Sequence, residues 1–161
     1  MDLTLEERIS QAFDEIGLDI SDLRNFIGYG VSKIAIWAEE NGALSSNSDE
    51  WSFGNGSVGA DIGIPLVEEW ELYGASFNAD VFNSATITGM QIKDMATGTV
   101  IATFDISSQH HTFIFPDPIA VPAGSVIGFK TGTLTGSITD ARVVAWLRQP
   151  VGIGLGSMQI S

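Results

Sequence analysis

The chain has 161 residues, 44% of them hydrophobic, with twenty acidic side chains against seven basic ones and no cysteine. That length buries one respectable core but hardly two, and the hydrophobic share excludes wholesale disorder. The net charge of −13 is spread over both halves, with eleven acids against three bases in residues 1–50 and nine against four in residues 51–161. Such a surface repels phosphate backbones and anionic membranes, so neither is expected as a partner.

Disulfides and thiolate metal sites are impossible without cysteine. No 18-residue uncharged apolar run occurs, and residues 2–7 carry acids where a secretory leader has bases, so neither a membrane span nor a signal peptide is expected.

In chain order, the first predicted element is a helix. Leu5, Ile9, Phe13, Ile16, Ile20, Leu23 and Ile27 recur every three or four residues, which is an apolar stripe on one helix face. Thr4 and Glu7 have capping-box spacing, and Glu6 and Glu7 suit the positive end of the helix dipole. From Phe13 onward the spacing is a heptad seam, suited either to packing on the chain's own β region or to a subunit interface. Gly28-Tyr29-Gly30 ends this helix. A second short helix or an extended stretch is expected over residues 32–40, and Asn41-Gly42 stops it.

The polar run Ser45-Ser46-Asn47-Ser48-Asp49 reads as a linker. The periodicity then changes to that of strands. Trp70 and Leu72 alternate with acids; residues 85–94 and 99–106 flank a hairpin turn at Met95-Ala96-Thr97-Gly98. Thr112-Phe113-Ile114-Phe115 is a short strand stopped by Pro116-Asp117-Pro118. Val121-Pro122-Ala123-Gly124 is a turn into the next strand. The last strand places Val143, Ala145 and Leu147 on one face and Arg142, Val144, Trp146 and Arg148 on the other.

This cadence predicts a mainly β protein with an N-terminal α segment and an antiparallel β-sandwich head of jelly-roll type. The expected divisions are a helical anchor at 1–44, a linker at 45–50, the head at 51–149 and a tail at 150–161. In the tail, Val151, Ile153 and Leu155 alternate with glycine, which permits close approach of another chain.

The chemistry of catalysis is mostly missing. His110 and His111 are adjacent, so in a strand they point to opposite faces and cannot share one metal within one chain. No G-x-S-x-G elbow, EF-hand spacing or phosphate loop with its lysine is present. Glu68, Glu69 and Glu71 are the densest acids, and they read as the solvated side of an amphipathic strand. No catalytic residue, metal or cofactor is expected. Trp37, Trp51, Trp70 and Trp146 could build a sugar-stacking platform. Trp70 and Trp146 are read as core or inter-subunit burial, with Trp146 the choice for subunit contact, while Trp51, at an exposed domain entrance, and Tyr73 are the sugar-stacking candidates.

Several segments resemble a known class. They are Trp51-Ser52-Phe53-Gly54-Asn55-Gly56, Gly63-Ile64-Pro65-Leu66, Val121-Pro122-Ala123-Gly124-Ser125-Val126-Ile127-Gly128-Phe129 and Asp140-Ala141-Arg142-Val143-Val144-Ala145-Trp146. With the helical opening, they are similar to the small trimeric jelly-roll heads of tailed-phage fibres and capsid decoration proteins. The resemblance implies a non-enzymatic homotrimer on the virion surface. Its N-terminal region would be bound to a phage capsid or tail protein, with Trp146, Val151, Ile153 and Leu155 in the trimer contact. A head recognising a host-surface glycan is the alternative. No shaft or collagen-like repeat separates helix from head, which favours a protein sitting close to a shell.

Overall fold

One strand organises the sheet. The computed structural model describes residues 32–54 and 62–150. The strands are β1 (Lys33–Ala43), β2 (Ile64–Pro65), β3 (Trp70–Asp94), β4 (Thr99–Ile106), β5 (His110–Val121), β6 (Val126–Lys130) and β7 (Thr133–Arg148). β3 is the spine. One of its edges carries β5 and then β4, the other carries β7 and then β6, and all of these pairs are antiparallel. β1 extends the sheet beyond β7, and β2 extends it beyond β6.

Chain geometry forces β3 to curl. Its first residue, Trp70, pairs with Val121, and its last, Asp94, lies opposite Ile127. Fully extended, a strand of 25 residues would span roughly 80 Å. The connection from Val121 to Val126 reaches at most about 18 Å. The two ends of β3 are therefore brought together, and the antiparallel sheet becomes nearly barrel-like. The bend falls at the irregularity between Asn83 and Thr86, where Ser84 has φ +42°. Opposite it, Gly136 has φ +72°, and a Cβ there would lie 2.5 Å from the Ser84 carbonyl oxygen. Only glycine fits that corner.

Bulges also keep the spine's apolar side inward. Leu72 is buried, and so are Ala75, Phe77, Ala79, Ile87, Met90 and Ile92. Strict alternation would turn half of these outward. The register shifts between Leu72 and Gly74 and between Ile87 and Met90 each reset the phase by one residue. The resulting core also takes Trp51, Phe53, Ile106, Val121, Ile127, Phe129, Ile138, Val143 and Leu147. Each such large side chain contributes about 1.5–3 kcal/mol by leaving water.

Two boundaries differ from the sequence reading. Residues 33–43 form a strand, the extended alternative, and the compact unit runs Lys33–Pro150. The polar 45–50 stretch is part of that unit and not a free linker: the Ser48 carbonyl accepts Thr131 N–H at 2.7 Å and the Gly132 carbonyl accepts Asn47 N–H at 2.9 Å. These backbone bonds are invisible in side-chain polarity. Pro116 and Pro118 do not stop β5 either. They sit where β5 shifts register against β3, between Ile114↔Gly74 and Ile119↔Leu72, so their missing N–H groups leave no ladder bond unmade. The helix stripe from Leu5 to Ile27 and the tail residues Val151, Ile153 and Leu155 lie outside the described residues.

A candidate interaction face

The outer side of β1, β7, β3 and β5 is ordered by strand register into rows. Lys33, Arg148 and Glu71 form the first, and Ala35, Trp146, Gly74 and Ile114 the second. Trp37, Val144, Ser76 and Thr112 form the third, and Glu39, Arg142, Asn78 and His110 the fourth. Residues directly opposed on neighbouring strands share a face, so each row is a contiguous line of side chains.

The two middle rows are apolar. Trp37 is 42% exposed and Ile114 62%, large values for side chains of this kind. Trp146 is half-buried, and its indole N–H donates to Ser76 Oγ at 3.0 Å. Gly74 makes room between them: a Cβ there would approach Ile114 Cδ1 at 3.1 Å and Trp146 Cδ1 at 3.8 Å.

The outer rows are charged and internally paired. Arg148 Nε donates to Glu71 Oε2 at 2.9 Å, and Arg142 pairs with Glu39. The Arg142 guanidinium also lies 5.2 Å from the Trp37 ring centre, and Lys33 Nζ lies 5.9 Å from that of Tyr73. An aromatic centre bordered by paired charges, with arginine prominent, is the anatomy of a protein-binding surface.

At the far end of the face, Glu39, Asn41, Asn78, Asp80, Asp140 and Arg142 line a polar cavity of about 240 Å³. Asp140 is held there by accepting Gly42 N–H at 2.7 Å. Among the described residues no group of His, Asp and Glu gathers in a metal-binding arrangement.

One site residue needs correction. Trp51 was expected at an exposed entrance, ready to stack on a sugar. It is 1% exposed, packed edge-on against Phe129 at 6.4 Å between ring centres, and its Nε1 has no hydrogen-bond partner among the described residues. The residues ahead of it join the sheet, which turns the supposed entrance into core. Tyr73 is half-buried beneath Lys33, and Trp146 stands on the outer face. Sequence reasoning passed over Trp37 in favour of Trp51. Its signal was phase: Ile34, Ile36 and Ala38 alternate with Ala35, Trp37 and Glu39, which puts a large aromatic on the solvent side of the strand.

No protein-family model matches this chain, and neither does any curated protein.

Proposed function

We propose that this chain is a non-enzymatic virion structural protein of a tailed phage, a homotrimeric β-head of jelly-roll type held to capsid or tail by its N-terminal region. It would be made in the host cytoplasm and end on the virion surface. The observation that carries the reading is the pairing of Lys33 with Arg148. Ser32 and Gln149, which flank β1 and β7, therefore lie at one end of one sheet. A head with both flanks at one end suits mounting on an anchor. The stripe Leu5, Ile9, Phe13, Ile16, Ile20, Leu23 and Ile27 is the proposed anchor, and Val151, Ile153 and Leu155 would add to the trimer contact.

The test is deletion of residues 2–27. The Lys33–Pro150 unit has its own core, so the variant is expected to keep its circular dichroism spectrum and thermal transition yet fail to co-sediment with particles. Loss of folding, or undiminished particle binding, would sink the anchor reading.

A second reading, a head that grips a neutral host glycan, is favoured by the polar cavity beside Trp37. Glu39 is held by Arg142 and Asp140 by Gly42 N–H, and together with the amides of Asn41 and Asn78 they present hydrogen-bond donors and acceptors, while the excess of acids disfavours anionic sugars. Asn78→Ala is expected to abolish glycan-array binding; an array blank for the unaltered protein would remove this reading.

A further inference from the structure

We infer that the Trp37–Trp146 face binds a second copy of this chain, and that it seats on the β4–β5 edge of that neighbour. The inference deepens the homotrimer reading and rests on it.

Charge selects the surface. Copies of a chain with net charge −13 repel one another almost everywhere. The four rows differ: Lys33, Arg142 and Arg148 are three of the five bases among the described residues and outnumber Glu39 and Glu71 there, while Asp80 and Asp140 line the cavity at the far end. The rows thus carry one excess positive charge against a strongly negative whole.

Symmetry selects the partner surface. A face meeting its own copy generates a two-fold pair, whereas a closed ring of three needs two different patches that fit each other. The β4–β5 edge supplies the second patch. β4 and β5 do not pair with each other, and among the described residues each pairs with β3 alone. Val100 is 46% exposed there, at the rim of a recess of about 570 Å³ that Ile101, Ile119, Ala120 and Pro122 also line. β4 and β5 carry Asp105 and Asp117 and neither lysine nor arginine. The recess is apolar at its centre, with Asp94 in its lining and Lys93 opposite Val100 on the neighbouring strand, and its apolar surface complements an indole-centred face. Docking there also covers strand edges that would otherwise invite unspecific pairing.

The test uses two full-length variants, Trp37→Asp and Val100→Asp, with mass read by light scattering across the micromolar range. Both side chains are exposed, so both variants are expected to fold, with near-ultraviolet circular dichroism as the check. Each alone is expected to shift the trimer to monomer, raising the dissociation concentration at least about tenfold. Mixed in equal amounts they are expected to form a one-to-one pair and no trimer, because only one sound face then meets one sound edge.

A trimer that survives either substitution overturns the inference while leaving the homotrimer reading intact. An unaltered protein that forms a dimer sensitive to Trp37→Asp and indifferent to Val100→Asp would show face meeting face, and overturns it too. A monomeric unaltered protein removes the homotrimer reading itself.

Discussion

Asp94 Oδ1 accepts the backbone N–H of Val126 at 2.9 Å, fastening the last residue of β3 to the first residue of β6. The same oxygen takes Ala96 N–H at 3.1 Å, and Oδ2 takes the Thr97 hydroxyl at 2.9 Å. One carboxylate thus closes the hairpin turn and ties the end of the curled spine to β6. Asp94→Ala is expected to cost about 1–2 kcal/mol in urea unfolding, since it strands two backbone donors.

The same bonds, with that from Val126 foremost, hold the Asp94 carboxyl below its ordinary range. A lowered folded value means the stabilisation is complete above the unfolded value and disappears as pH falls through the folded one. The difference between the natural protein and Asp94→Ala is therefore expected to shrink in acid, below the ordinary aspartate range. A difference that stays constant down to the acid limit would refute this assignment.

Glu40 behaves oppositely. Burial first, and then the neighbouring Glu50 carboxylate, push its value up. As pH rises through the interval between its unfolded and folded values, the unfolded chain loses the proton first and stability falls. Glu40→Gln is expected to raise the melting temperature at neutral pH and to leave it unchanged in acid, below the ordinary glutamate range. Thermal scans at the two pH values decide the point.

Gly136 and Gly98 both have positive φ, +72° and +75°, yet they differ in surroundings. A Cβ at Gly136 would strike the backbone of Asn83, Ser84 and Ala85, whereas one at Gly98 would meet nothing within 4 Å. Gly98→Ala is expected to cost about 1–2 kcal/mol from backbone strain alone. Gly136→Ala should cost clearly more, because the corner of β3 must move as well. Equal melting temperatures for the two variants would contradict the role given to that corner.

Trp51 Nε1 and Thr131 Oγ1 are buried without hydrogen-bond partners among the described residues. Their polar atoms contribute nothing to stability, while their apolar bulk does. Trp51→Ala is expected to lose about 3–5 kcal/mol, and Trp51→Phe much less, since it also removes an unpartnered donor. Thr131→Val is expected to be neutral or mildly stabilising. A large loss on Thr131→Val would mean that its hydroxyl is satisfied in solution.

Much of the local pattern was legible. The hairpin at Met95-Ala96-Thr97-Gly98 joins β3 to β4 as expected, and the turn at Pro122-Ala123-Gly124 opens β6. Val143, Ala145 and Leu147 are buried on one side of β7, with Arg142, Val144, Trp146 and Arg148 on the other. Where it was illegible, the reason was distance along the chain. β3 looked like two strands, because Gly74, Asn78, Asn83 and Ser84 are breakers by type. Pairing on both edges with β5 and β7 holds those residues extended, and the bulges use them to turn and to reset phase.

By itself, the sequence determined the β character of the unit, its turns and which side of each short strand is apolar, because these follow from contacts within a few residues. Only the tertiary structure decided that residues 33–53 belong to the unit, that Trp51 is core and Trp37 is surface, and that Lys33 meets Arg148. Those outcomes depend on hydrogen bonds and packing between residues about eighty to more than one hundred positions apart, as with Asn47 against Gly132 and Trp37 against Val144. Hydrophobicity is non-directional and sets how much is buried; the closure of β3 by its long-range ladders sets which residues those are.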